Sequence, residues 1–167
     1  GPVPGGAPPY NAGVSFLNAD LHCHSVVSDG TLTPTFLARR ARANGVELWA
    51  LTDHDEVRGL PEAREAARLA GIAWLSGVEI SVTFAGVTVH IVGLGFDEHD
   101  TALAEGLSRT RGGREARARE MAADLERVGI RGAYEGALRY VGNPDLISRT
   151  HFARFLVESK VCHDTSE

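Results

Sequence analysis

The stretch FLNADLHCHSVVSDG (residues 16–30) decides the fold. Its apolar run ends in Asp20-Leu21-His22-Cys23-His24, and a Ser28-Asp29-Gly30 turn follows at once. Side chains alternate faces along a strand, so Asp20, His22 and His24 share one face while Leu21 and Cys23 point into a packing layer. Three more apolar runs follow at ELWALTD (47–53), IAWLSGVEI (72–80) and VTVHIVGLG (87–95). A helix opened by Thr33-Pro34 separates the first pair, and one opened by Pro61 and closed by Gly71 separates the second, with proline near the first helical position in each. Strand–helix–strand–helix–strand with short links predicts an α/β fold of parallel βα units. The tight Phe84-Ala85-Gly86 link predicts a hairpin between the last two strands.

Ionisable residues recur at these runs. Thr52-Asp53-His54-Asp55 closes the second, Glu79 ends the third after Gly77, and His90 lies inside the fourth, among residues that otherwise favour burial. Taken singly, each has an ordinary structural reading: an Asx turn at Asp29, a surface Glu79, a satisfied core His90. Together they crowd the rim where βα enzymes build their sites, and clustered ionisable groups are costly unless paired or metal-bound. Two imidazoles at i and i+2 can grip one ion, with a carboxylate orienting a ring from behind. Imidazole and carboxylate without thiolate suit Mn²⁺, Zn²⁺ or Fe²⁺. A carboxylate such as Glu79 can bridge two ions about 3.5–4 Å apart, a geometry that activates water and clamps a phosphate.

The 167 residues carry 17 Lys+Arg and 22 Asp+Glu, a formal charge of −5. An acidic balance argues against coating nucleic acid by bulk charge. No apolar run approaches the roughly 20 residues that span a bilayer. Cys23 and Cys162 make no disulfide framework, and the chain reads as cytoplasmic. Residues 1–15, rich in Gly and Pro, are expected to form a tail outside the fold, with no signal-peptide pattern.

Beyond residue 100 the pattern becomes helical. Residues 16–99 form the βα part and 100–167 a helical insertion. A heptad-like series runs through Leu107, Arg111, Arg114, Ala118, Met121, Leu125 and Val128, and a second helical pattern covers 150–159. The series places Arg111 and Arg114 on the apolar face, whereas Arg117, Arg119 and Arg127 suit a solvated one. Inward arginines beside a metal pair are what phosphate recognition requires. Gly112-Gly113 is expected to start or kink a helix, and Arg149 stands at a helix entrance, where amides attract anions.

The strings DLHCHSVVSDG, ALTDHD, GVEIS and VHIVGLG resemble the polymerase-and-histidinol-phosphatase (PHP) family of metallophosphoesterases, closely from Asn18 to about Gly95. The resemblance implies a distorted seven-stranded βα barrel holding two or three metal ions. It matches His22 and His24 to ligands of the first metal, Glu79 to the bridging carboxylate and His90 to a ligand of the second. Asp29 and His54 match the third-metal region. Three-metal members usually carry His where Asp29 stands, so here Asp29 and His54 are read as contacting the substrate phosphate, with two ions, Mn²⁺ first, as cofactors. GGREARAREM (112–121) paired with NPDLISRTHFAR (143–154) resembles the branch that acts on 3′,5′-nucleotide bisphosphates and trims short RNA from the 5′ end. That branch implies that Arg114, Arg117, Arg149 and Thr150 hold the nucleotide, making a small nucleotide or short RNA the expected partner.

The family also supplies a late Ala-His-Pro histidine and an Asp-x-His pair, which nothing after His90 matches; His163 in CHDTSE is no substitute. The barrel is therefore expected to be incomplete, with the chain the N-terminal portion of a longer protein and a poor enzyme by itself. Two other readings stay open. One is a small-metabolite phosphatase of the histidinol-phosphate kind; the other is a metal- or nucleotide-binding fragment without turnover.

Overall fold

The computed structural model describes residues 17–162, so the expected tail (1–15) and His163 lie outside the described residues. Four strands form one curled sheet in the order β1-β2-β3-β4: β1 (Ala19–Asp20), β2 (Leu48–Leu51), β3 (Ala73–Phe84) and β4 (Val87–Leu94). The first three pair in parallel, and β3 pairs with β4 as an antiparallel hairpin. This is the partial barrel expected from the sequence.

Helix α1 (Pro34–Ala43) starts where the Thr33 hydroxyl accepts from the Phe36 amide, with Pro34 pre-set at its first position. Helix α2 (Leu60–Ala70) ends at Gly71, whose φ of 68° is the left-handed stop that favours glycine. Both press alanine-rich faces on the sheet: Ala38, Ala41, Ala63 and Ala67 meet Trp49, Leu51, Leu60 and Ile72 in one buried cluster. Full burial of Leu51 and of Leu60 contributes about 1.5–3 kcal/mol each.

Three expectations need correction. The first run yields only a two-residue strand: beyond Asp20 the regular ladder ends, and the loop carrying His22 and His24 is held to the end of β2 by the Thr52 amide donating to the Cys23 carbonyl at 2.9 Å. Glu79 does not end its strand. β3 pairs with β2 as far as Ser76, then continues from Gly77 to Phe84 against β4, so Glu79 sits where the sheet changes partners. Gly77 permits that change: a Cβ there would lie 2.5 Å from the Leu51 carbonyl oxygen. Finally, β4 is not a buried strand; Val87, Val89, Ile91, Val92 and Leu94 are exposed among the described residues. The hairpin itself is as expected, turning through Ala85 and Gly86 at φ 48° and 77°.

The helical part comprises α3 (Thr101–Gly112), α4 (Arg114–Arg127), α5 (Ala133–Leu138) and α6 (Arg149–Glu158), with a 3₁₀ turn at Pro144–Leu146. The heptad-like series breaks at Gly113, so Leu107, Arg114 and Ala118 are buried while Val128 is 73% exposed. Ala118, Ala133, Ala137, Ile147, Phe152 and Phe155 form a second buried cluster.

Candidate active site

Glu79 is the centre of the site. Its Oε2 lies 2.8 Å from His22 Nε2, 2.9 Å from His24 Nε2 and 3.8 Å from His54 Nδ1. Its Oε1 lies 3.6 Å from His90 Nδ1. His22 and His24 bring their Nε2 atoms within 3.1 Å of each other, although a loop rather than the expected strand presents them. His90 arrives from β4, opposite Ser81 in the hairpin register.

Asp29 completes the group through the turn after Ser28. Gly30 lets that turn close on the histidine loop, since a Cβ there would sit 2.1 Å from the His24 carbonyl oxygen. Asp29 Oδ1 then lies 3.3 Å from His24 Nδ1, and Oδ2 lies 3.6 Å from His54 Nε2. Three overlapping donor sets result: His22-His24-Glu79, His24-Asp29-His54 and His54-Glu79-His90, each with ligand atoms within 4.8 Å of one another. The Nδ1 atoms of His24 and His54 are buried without a hydrogen-bond partner. Lone pairs that converge on carboxylates without donating or accepting fit a divalent cation.

The protonation pattern follows from this crowding. Burial works against ionised Glu79, but the His22 hydrogen bond and the nearby His54 and His24 outweigh it and lower its pKa. Burial also opposes charge on His24, yet Asp29, Glu79 and Asp53 raise its pKa. At His54 burial wins and the pKa falls, helped by the charges of His24 and Arg114. Asp29 is held well below the usual carboxylate range; burial resists, while His24, His54 and Thr150 stabilise the anion.

Beside the donors opens a cavity of about 420 Å³ lined by Asp29, His54, Ser81, His90, Arg114, Arg117, Arg149 and Thr150, with Glu120 and Asp124 also on its wall. Every phosphate-side residue expected from the sequence thus borders one space. Thr150 donates to Asp29 Oδ2 at 2.9 Å, and Arg154 donates to the Asp29 carbonyl. Arg117 and Arg149 are exposed, whereas Arg114 is buried against Asp55. His151 lies apart from the donors and accepts from the Ser148 amide at 3.0 Å, capping α6.

Two supports escaped sequence reasoning. Buried Asp53 accepts from the Ser25 amide and from the hydroxyls of Ser25 and Ser28, which holds the histidine loop. Asp55 pairs with Arg114. The signal was the Asp-His-Asp string itself, whose flanking carboxylates had no assigned partner.

The family model described as "PHP domain" matches residues 20–137. A 3′,5′-nucleoside bisphosphate phosphatase from Chromobacterium violaceum is 55% identical over 147 residues, covering 88% of this chain and 52% of that protein. A 5′-3′ exoribonuclease from Haemophilus influenzae is 45% identical over 146 residues, covering 87% and 53%. A solved structure of an amidohydrolase from Chromobacterium violaceum, with bound sulfate and no metal, is 54% identical with a TM-score of 0.86, over 89% of this chain and 52% of that one. The chain spans about half the length of the curated relatives it matches.

Proposed function

The chain belongs to the PHP domain family, and from that premise we propose that it carries the metal-binding and substrate-binding side of a phosphoesterase that removes the 3′-phosphate of 3′,5′-nucleotide bisphosphates. One observation carries this reading: a single carboxylate, Glu79, lies within 3.8 Å of four imidazole nitrogens, and two of those histidines, His54 and His90, line an arginine-bearing cavity. His22 and His24 would hold one ion, His90 a second, and Glu79 would bridge them. Bound divalent ions supply a hydroxide nucleophile near neutral pH and neutralise phosphate charge.

The remaining residues bind and orient. Arg117 and Arg149 present exposed guanidiniums at the cavity rim, suited to the fork-like recognition of a phosphate. Asp29, fixed by Thr150, stands with His54 between the metal donors and the arginines, where the ester phosphate would be addressed. In the reaction water adds to the 3′-phosphorus and the bond to the ribose 3′ oxygen breaks. That oxygen takes a proton, leaving a nucleoside 5′-phosphate and inorganic phosphate. The names of the relatives, a 3′,5′-nucleoside bisphosphate phosphatase and a 5′-3′ exoribonuclease, favour this substrate, with RNA as a further one. Sulfate in the Chromobacterium structure is an anion of the same tetrahedral shape. No helix of the described residues is long and apolar enough to cross a membrane.

A second reading, three ions, is favoured by the His24-Asp29-His54 donor set. One experiment addresses both: titrate the polypeptide with Mn²⁺, count the ions, then follow phosphate release from adenosine 3′,5′-bisphosphate, AMP and histidinol phosphate. Two ions and preference for the bisphosphate are expected. A count of three assigns Asp29 and His54 to metal, and preference for histidinol phosphate overturns the nucleotide reading. Metal uptake without phosphate release assigns binding alone.

A further inference from the structure

Asp55 adjoins the proposed metal donor His54, yet its carboxylate touches none of the donor side chains. It is fully buried and adopts a left-handed φ of 50°, a strained backbone for a residue that is not glycine. Its contacts account for that conformation. The Asp55 amide donates to the Glu79 carbonyl at 2.9 Å, and its carboxylate Oδ1 accepts from the Ser81 amide at 2.7 Å. Arg111 donates to its carbonyl oxygen at 2.7 Å. Oδ2 accepts from Arg114 Nε at 3.1 Å and Nη2 at 2.5 Å.

We propose that Asp55 is a positioning residue that orients the Arg114 guanidinium toward the substrate phosphate while its backbone pins His54 beside Glu79. The carboxylate grips the Nε–Nη2 edge side-on, which fixes the plane of the fork. The Nη1 end meets only the Ile147 carbonyl, at a long 3.5 Å, and Arg114 lines the cavity with His54 and His90. A carboxylate behind a planar cation leaves the opposite edge directed and restrained, the same logic by which second partners orient metal-ligating histidines. The ion pair also joins α4 to the hairpin, because the same carboxylate holds Ser81, which pairs with His90. One buried side chain thereby sets the distance between the metal donors and the phosphate-side helix. The inference rests on the phosphate-ester reading above.

The test separates orientation from general support. Asp55→Asn keeps an acceptor for the Ser81 amide and removes the anionic grip on Arg114. Calorimetric affinity for adenosine 3′,5′-bisphosphate should fall by about tenfold or more, while Mn²⁺ affinity stays within about twofold. Arg114→Ala should cause a similar loss, and adding Asp55→Asn to it should cause no further one, because coupled residues are non-additive. Additive losses, or equal losses of metal and bisphosphate affinity, overturn the inference and leave Asp55 a structural residue. If circular dichroism shows Asp55→Asn unfolded, Arg114→Lys decides: it keeps a charge but not the fork, and bisphosphate affinity retained within about twofold overturns orientation. An unaltered chain that binds no bisphosphate removes the phosphate reading and this inference with it. An unaltered chain that binds, with Asp55→Asn binding equally, removes this inference alone.

Discussion

The two halves of the cavity are held by different means. On the βα side, donors are placed mostly by backbone: the end of β2, the β3–β4 register that sets Ser81 opposite His90, and a loop off β1 that the Asp53 side chain braces. On the helical side, the arginines are placed through side chains, with Arg114 meeting Asp55 across 59 residues and Thr150 meeting Asp29 across 121. A ladder of amide hydrogen bonds survives most substitutions, whereas a side-chain contact ends when one partner is cut. The metal side should therefore fail chiefly when a donor, or the Asp53 carboxylate that holds the histidine loop, is lost, and the phosphate side whenever a connector is.

The largest effect tests the first half of that contrast. Glu79→Gln keeps the shape but removes the charge shared by four histidines, and Mn²⁺ affinity should drop on the order of 100-fold or more, since affinity depends on deprotonated ligands. Bisphosphate binding measured without metal should remain within about threefold. A comparable fall there would mean that the two halves do not act separately.

Arg149→Ala examines the other half. Arg149 is exposed at the start of α6, so its loss removes a charge-assisted contact worth about 1.5–3 kcal/mol, roughly 10- to 100-fold in bisphosphate affinity. Mn²⁺ affinity should not move. If it does, the helical side reaches the donors more directly than the distances imply.

Legibility in the sequence follows the same division. His22 and His24 could be read because they stand two residues apart in the chain, although a loop rather than a strand presents them, and helix ends at Pro34 and Gly71 because capping is local. The helix stripe was legible as far as Arg114 and Ala118 but could not show which cation is partnered. Asp55 and Arg114 look alike as exposed or buried charges until the chain has folded. The exposure of β4 was not legible either: an apolar, β-branched run reads as buried, and only the arrangement of layers decides what covers it. The sheet's change of partner at Gly77 is likewise a tertiary event, so Glu79 looked like a strand end.

The smallest expected effect is on stability and concerns the seam between the halves. His151 is fully buried, and its Nδ1 accepts from the Ser148 amide at the start of α6. Burial pushes its pKa down to about 4, with Arg154 and Arg114 acting in the same direction against Asp29. The native state therefore keeps the ring neutral while the unfolded chain protonates it near pH 6.5. Its contribution is fully present above pH 6.5 and is lost as pH falls toward 4, because the unfolded state then binds the extra proton. Between pH 7 and pH 5.5 this should remove about 1 kcal/mol, from the linkage of one site. Urea unfolding of the unaltered chain and of His151→Gln, at both pH values, isolates the effect from the other histidines, which the two chains share. The variant keeps a side-chain acceptor for the Ser148 amide at the same capping position, and should lose about 1 kcal/mol less than the unaltered chain on acidification. Parallel losses would show that the ring is charged in the native state, and the α6 end of the phosphate side would then rest on a cation rather than on a neutral cap.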